Sequence, residues 1–367
     1  MKFFNGPLTY EKEIELESDS KKYNTVQTIN LKNYESNTKL INKNSFSEFD
    51  MTLVMLWNQK MQEGLFKYKF KSNSADYKIV YKTDQPSETD LPYLVHINKS
   101  RHSQYKKPKK VPFSSINEKF NGDPTKFSFL KINPSEILFR LSGKFSKDRV
   151  VINSAPLEIG HILLLPEVEK KHRQCLTLHA LESALNLLKL SGSSYFKLMF
   201  NSLQAGASVN HLHIHGMYSR FDKHSDNLER EKLVDDKNVF KTKRRSSINQ
   251  AYIISDIPKN EETNLNNIYK LVKFFDDQQI AHNLTMFYNS ETLVPEVVVW
   301  PRKALTELNQ SNSFEIAASE LTGHLIYKSK TDFEEADLTK IENHLKTAVL
   351  DDEIYCKIDK WIIENFE

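Results

Sequence analysis

Five consecutive residues constrain this chain more than any others. His211-Leu212-His213-Ile214-His215 places three of the twelve histidines at alternating positions, with aliphatic side chains between them. Alternation is the period of a β-strand, so the three imidazoles are expected on one face while Leu212 and Ile214 pack behind. The stretch from Asn201 to Ser208, which contains Gly206, reads as a loop delivering the chain into that strand. A face of imidazoles can hold a metal, grip a phosphate or attack one.

The rest of the chain narrows the setting. At 367 residues it is long enough for one large unit or two similar halves. Twenty-two Phe and fifteen Tyr supply a core, and 27% charged residues argue against a membrane protein. No segment approaches the roughly 20 apolar residues of a membrane span. A net charge of +3 gives no electrostatic reason to expect a nucleic-acid partner. Cys175 and Cys356 stand apart, without paired spacing, as reduced thiols of a cytoplasmic protein would. The Met1-Lys2-Phe3-Phe4 start is too short an apolar run for a signal peptide.

Taken in order, residues 1–48 form a polar arm without periodicity, and Phe49 to Gly64 has helical spacing. Phe66–Phe70 and Tyr93–Ile97 read as strands. So do Phe127–Lys131, Ile137–Leu141 and Val150–Asn153, and Ile162–Leu165 reads as a buried strand closed by Pro166. Thr177–Leu190 carries an amphipathic stripe ended by Gly192, and a strand from Tyr195 to Phe200 leads into the Gly206 loop. Residues 49–225 thus make one catalytic half and residues 226–250 a basic polar linker. Residues 251–367 echo the first half as a degenerate second half with a helical tail. There, Asn264–Phe275 and Phe314–Glu320 are expected helical, and Thr285–Tyr288 and Val297–Trp300 extended. Two basic runs, Arg101–Lys110 and Lys241–Arg245, read first as solvated loops, the former also as a phosphate-facing loop.

Three chemistries compete for the histidine face. A metal site needs ligands beyond the two that so compact a group usually supplies, and no Cys, Asp or Glu stands nearby. Chance clustering of three inert histidines conflicts with their scarcity elsewhere. Phosphoryl-group chemistry fits best. A neutral imidazole can attack phosphorus in line when its other nitrogen is fixed by a hydrogen bond, and flanking imidazoles can donate to the phosphate. Backbone N–H groups of the Gly206 loop and the Ser208 hydroxyl can add to that cradle. His213, flanked on both sides, is the natural nucleophile, with His211 and His215 in support.

The same residues resemble a known family. His211-Leu212-His213-Ile214-His215 is similar to the His-φ-His-φ-His signature of the histidine triad superfamily. Val151-Ile152-Asn153 through Gly160-His161 resembles its first nucleotide-binding strand and turn. The likeness narrows to the GDP-hexose phosphorylase branch through Phe200-Asn201-Ser202-Leu203 and Ala207-Ser208-Val209-Asn210. Further support comes from Phe127 to Pro134, Ala281-His282-Asn283-Leu284, Trp300-Pro301-Arg302-Lys303 and Glu320-Leu321-Thr322-Gly323-His324.

The resemblance implies an α+β fold of histidine-triad-like antiparallel sheets with packed helices, in two related halves as in hexose-1-phosphate uridylyltransferases. It implies phosphorolysis of GDP-D-glucose to GDP and glucose 1-phosphate through a guanylyl-histidine on His213, with GDP-hexose and inorganic phosphate as partners. No metal or other cofactor is called for, and a homodimer is compatible with it. Asn153 would contact the ribose and His161 shape the nucleotide site, with Asn201 and Ser208 also binding substrate. Arg302-Lys303 or the 101–110 run would hold the acceptor phosphate. Two departures from the pattern are Gln204, where the branch usually has Gly, and His215, where the plant galactose enzymes have Gln. They keep open a hydrolase that uses water, and a non-catalytic guanine-nucleotide binder.

Overall fold

The computed structural model describes residues 27–28, 46–70, 74–81, 92–98, 100–101, 127–219, 227–234, 237–243, 247–308 and 313–366. Most of the N-terminal arm and nearly all of the Arg101–Lys110 run lie outside them.

Helix α1 (Glu48–Gln62) starts at a reciprocal cap. The Ser47 hydroxyl accepts from Asp50 N–H, and the Asp50 carboxylate accepts from Ser47 N–H. Helix α2 (Leu178–Ser191) is capped by Thr177 and ends at Gly192, whose φ of 64° suits a residue without a side chain. Later come α3 (Glu261–Asp277), the single turns α4 (Ala318–Leu321) and α5 (Lys330–Glu334), then α6 (Leu338–Lys346) and α7 (Asp352–Asn365).

The strands are β1 (Gln27–Thr28), β2 (Tyr77–Val80), β3 (Tyr93–Ile97), β4 (Ile137–Arg140), β5 (Arg149–Ile152), β6 (Ile162–Leu165), β7 (Phe196–Asn201) and β8 (Ile214–Tyr218). After them come β9 (Arg230–Val234), β10 (Val239–Thr242), β11 (Tyr252–Ile254), β12 (Ala281–Tyr288), β13 (Pro295–Arg302) and β14 (His324–Tyr327). Eleven form one sheet in the order β1-β4-β5-β6-β8-β7-β12-β13-β11-β10-β9. The other three form a small sheet, β14-β3-β2. The expected mixed α+β class with large antiparallel sheets is what the chain adopts.

Connectivity repeats within the large sheet. Three strands (β4, β5, β6), helix α2 and two strands (β7, β8) are followed by three strands (β9, β10, β11), helix α3 and two strands (β12, β13). The two runs meet where β7 pairs antiparallel with β12, Asn201 opposite Asn283. Side-chain alternation divides the sheet into two faces. Ile162, Leu164, Leu198, Phe200, Leu212 and Ile214 pack in the main core with Leu181 and Leu185 of α2 and Ile268 and Leu271 of α3. Leu163, Leu165, Met199 and Met217 belong to small clusters on the opposite face. The histidines lie on that second face.

Four expected elements differ. Phe127–Lys131 closes a 3-10 turn over Phe129–Lys131, because the Ser128 hydroxyl captures the Leu130 N–H and bends the chain. Phe66–Phe70 alternates but forms no strand; its Lys67 N–H bonds the Ser154 carbonyl and Tyr68 donates to the Pro156 carbonyl. The stretch read as a linker carries the β9–β10 hairpin, an edge whose half-exposed side chains explain its polarity. The predicted helix Phe314–Glu320 shrinks to α4, since Phe314 and Ile316 are buried in the second core.

Candidate active site

The histidine strand begins later than its pattern suggests. β8 starts at Ile214 and pairs with both neighbours, His215 standing between Leu163 of β6 and Met199 of β7. His211 and His213 precede the ladder, so their backbone needs other partners. Leu212 N–H bonds the His172 carbonyl. The Gln174 side chain serves His213: Oε1 accepts its N–H at 2.9 Å and Nε2 donates to its carbonyl at 3.0 Å. The same Nε2 donates to the Asn201 carbonyl at 2.9 Å, tying the end of β7 to the histidine segment. Gln174 is 1% exposed, and nothing in the sequence marked it.

Hydrogen bonds fix the state of each ring. His211 Nδ1 accepts the Phe129 N–H at 3.2 Å, so its proton sits on Nε2, which faces the Val168 carbonyl at 3.2 Å. Both nitrogens of His211 are therefore committed. His213 Nδ1 donates to the His211 carbonyl at 2.8 Å, which leaves the Nε2 lone pair available. Its ring stands 5.1 Å from those of Phe129 and His215.

His161 Nδ1 accepts the Leu157 N–H at 2.8 Å, which puts its proton on Nε2, 3.0 Å from His215 Nδ1. His215 Nδ1 is then an acceptor, and its proton lies on Nε2. The Asn153 amide Nδ2 lies 3.2 Å from the same His161 nitrogen, and Asn153 Oδ1 accepts from Ala155 N–H. Trp57 of α1 secures the turn by donating to the His161 carbonyl at 3.1 Å.

Electrostatics keep these rings neutral. Burial holds His213 down at about 4, outweighing the bond to the His211 carbonyl that favours its charged form. Burial, then the neighbouring rings of His213 and His161 and the Arg101 guanidinium, hold His215 well below the usual imidazole range. Burial and then Arg101 act likewise on His161, and burial lowers His211. Arg101 thus brings positive potential to the face, and it anchors to the Ala155 carbonyl.

The loop before the histidines is built from the second half of the chain. Asn201 Oδ1 accepts from Asn283 Nδ2 at 2.7 Å and from Ala318 N–H at 2.9 Å. Asn283 also donates to the Ala205 carbonyl. Gly206 has φ of 109°, and a Cβ there would lie 3.1 Å from the Ala317 Cβ. Ser208 is exposed on the loop, whereas the Gln204 side chain is buried beneath it. Arg302, expected near the acceptor phosphate, is instead 1% exposed and directed to the Ile316 and Lys303 carbonyls. Lys303 faces Asp351.

Residues 48–217 match a family model described as GDPGP1-like, N-terminal domain, and residues 258–367 match its C-terminal counterpart. The chain is 30% identical to a Danio rerio protein named GDP-D-glucose phosphorylase 1, over 84% of this chain and 88% of that one. It is 29% identical to the Homo sapiens protein of the same name, over 78% and 76%. Identity to Arabidopsis thaliana GDP-L-galactose phosphorylase 2 is 23%, over 84% and 74%. In fold it is similar to a crystal structure of yeast Ap4A phosphorylase in complex with Ap4A, with TM-score 0.58 and 14% identity over 83% of this chain and 99% of that one. The chain belongs to the GDPGP1-like family.

Proposed function

We propose that this protein phosphorolyses GDP-D-glucose to GDP and glucose 1-phosphate through a guanylyl-histidine on His213. The observation that carries the reading is the locked His213 ring: Nδ1–H is spent on the His211 carbonyl, and a lone pair stays on Nε2 of an uncharged ring. The names of its relatives supply the substrate class.

In the first step, Nε2 attacks the α-phosphorus, and the bond from that phosphorus to the bridging oxygen breaks. Glucose 1-phosphate leaves with the electron pair. An oxygen of inorganic phosphate then attacks the α-phosphorus, the P–N bond breaks, and GDP is released with His213 neutral again. His215 Nε2–H donates to the phosphate oxygens, held in that tautomer by His161. His211 orients His213 through its carbonyl. Asn153 contacts the ribose, Ser208 and the Gly206 loop meet the phosphate, and Arg101 draws the anion in. Asn201 binds substrate and also braces the loop, its Oδ1 accepting from Asn283 Nδ2 and Ala318 N–H.

We further infer that the two five-strand runs are repeats of one unit, of which only the first kept the histidines. Free Cys175 and Cys356 fit a cytoplasmic protein, and among the described residues no helix is long and apolar enough to cross a membrane. A homodimer is part of this reading only through the resemblance.

The test is incubation with GDP-glucose, with and without inorganic phosphate. GDP and glucose 1-phosphate appearing only with phosphate are expected. GMP would instead mean that water is the acceptor, and the absence of any product would leave a nucleotide-binding protein. Intact mass after an acid-free quench should show one guanylyl group on the wild type and none on His213→Ala.

A further inference from the structure

Away from the reacting face, among the described residues, one group of three metal-ligating side chains converges: His96 of β3, Glu158 of the Asn153–His161 turn, and His324 of β14. Their donor atoms all lie within 4.8 Å of one another. All three are buried, at 2%, 0% and 2% exposure. His96 Nδ1 and His324 Nε2 stand 3.4 Å apart, with the rings inclined by 23°. That is longer than the roughly 3.0 Å of an ordinary N–H hydrogen bond. It equals the edge of a tetrahedral zinc site, where two nitrogens at about 2.05 Å from the ion stand about 3.4 Å apart.

The surroundings suit an ion as well. Glu158 Oε2 accepts from the Tyr77 hydroxyl at 2.8 Å and Oε1 from Ile159 N–H at 3.1 Å, which orients the carboxylate. The Tyr77 ring stacks on His96 at 4.3 Å. Outer partners of this kind fix metal-ligating side chains.

We propose that His96, Glu158 and His324 form a structural site for one divalent transition ion, zinc by its donor set, with water in the fourth position. Two imidazoles and one carboxylate favour zinc over magnesium or calcium, which take oxygen ligands. The ion would clamp three pieces of chain. His96 and His324 come from adjacent parallel strands of the small sheet, and Glu158 follows Leu157, whose N–H sets the His161 tautomer. It would thereby steady the turn behind His161 and His215 without touching the reacting phosphate. It is independent of the substrate assignment.

The test is zinc retitration of the full chain after chelator treatment, read by metal content and by the visible absorption of a Co2+ substitute. One ion per chain, a raised Tm and tetrahedral Co2+ bands are expected. Glu158→Gln and His324→Gln should lose the ion, and Tyr77→Phe should weaken it about 10-fold. His213→Ala should keep it. A folded wild type that binds no ion, or an ion that survives in both ligand variants, would overturn the proposal. Should those variants fail to fold, an anomalous difference map at the zinc edge on wild-type crystals decides: a peak between His96 and His324 supports the site, and its absence there refutes it.

Discussion

The Gln174 carboxamide satisfies both backbone groups of His213, so one side chain stands where a neighbouring strand would otherwise pair. This places His213 before β8 begins, outside the ladder but with its N–H and carbonyl both paired. Such a bridge keeps the donor orientation of His213 constant, because ring and backbone are fixed through Gln174 and the His211 carbonyl together.

Replacing Gln174 therefore acts on His213 from a distance. Gln174→Leu leaves the N–H and carbonyl of His213 and the carbonyl of Asn201 without this partner in a buried setting. A cost of about 1–3 kcal/mol in unfolding free energy is expected. Turnover should fall with KM little changed, since the substrate contacts remain. Gln174→Glu should be worse than Leu, because its carboxylate would face two carbonyl oxygens. Thermal unfolding and steady-state kinetics of the two variants check this, and an unchanged kcat in Gln174→Leu would contradict it.

His161 controls His215 in the same indirect way. Its Nε2–H sets His215 Nδ1 as an acceptor, and the Leu157 N–H sets His161 in turn. His161→Ala should free His215 to adopt the other tautomer and lower kcat by about 10²-fold, within the range for loss of a positioned proton donor. His161→Gln, whose amide nitrogen can still donate, should recover part of the loss. Equal damage from both variants would mean that ring packing, and not the proton on Nε2, is what His161 supplies.

Periodicity is what makes the histidine face legible in the sequence. The alternation of His213, Ile214 and His215 specified opposite faces, and the fold keeps them so, with Ile214 in the helix-covered core. Alternation alone misled at Phe66–Phe70 and Phe127–Lys131. There, backbone groups found the Ser154 carbonyl and the Ser128 hydroxyl in place of a strand. Gln174 was illegible for a different reason: its partners are backbone atoms 27 and 39 positions away, which leave no trace in residue type. In the sequence Arg101 is one residue of a basic run. Its proximity to His161 and His215 depends on Asn98, which accepts the Arg101 N–H and donates to the Pro156 carbonyl, and on the bond from Arg101 to the Ala155 carbonyl.

Gly160 is where that segment tolerates no side chain. Its φ is 66°, and a Cβ would lie 2.6 Å from the Tyr218 ring. Gly160→Ala combines backbone strain with overpacking, each costing about 1–3 kcal/mol. Tyr218 cannot yield readily, because its hydroxyl donates to the buried Asp50 carboxylate at 2.7 Å. A Tm several degrees lower and a reduced kcat are expected, because His161 is the next residue. A Tm equal to wild type would show that the turn can shift without cost.

The neutral rings also set the pH response. His213 is held at about 4, and His161 and His215 are displaced in the same direction, against an ordinary value near 6.5. Below pH 6.5 the unfolded chain takes up protons at these positions while the folded chain does not. Stability from them is therefore complete above pH 6.5 and is lost as pH falls through about 4. The His213 share is about 3 kcal/mol at full extent. Activity should follow the folded-state values: kcat/KM should hold below pH 6.5, where a free imidazole would already be half protonated, and decline only toward pH 4. Tm measured against pH for the wild type and His213→Ala should give a shallower slope in the variant across that window. Parallel slopes would show that His213 titrates as an ordinary histidine.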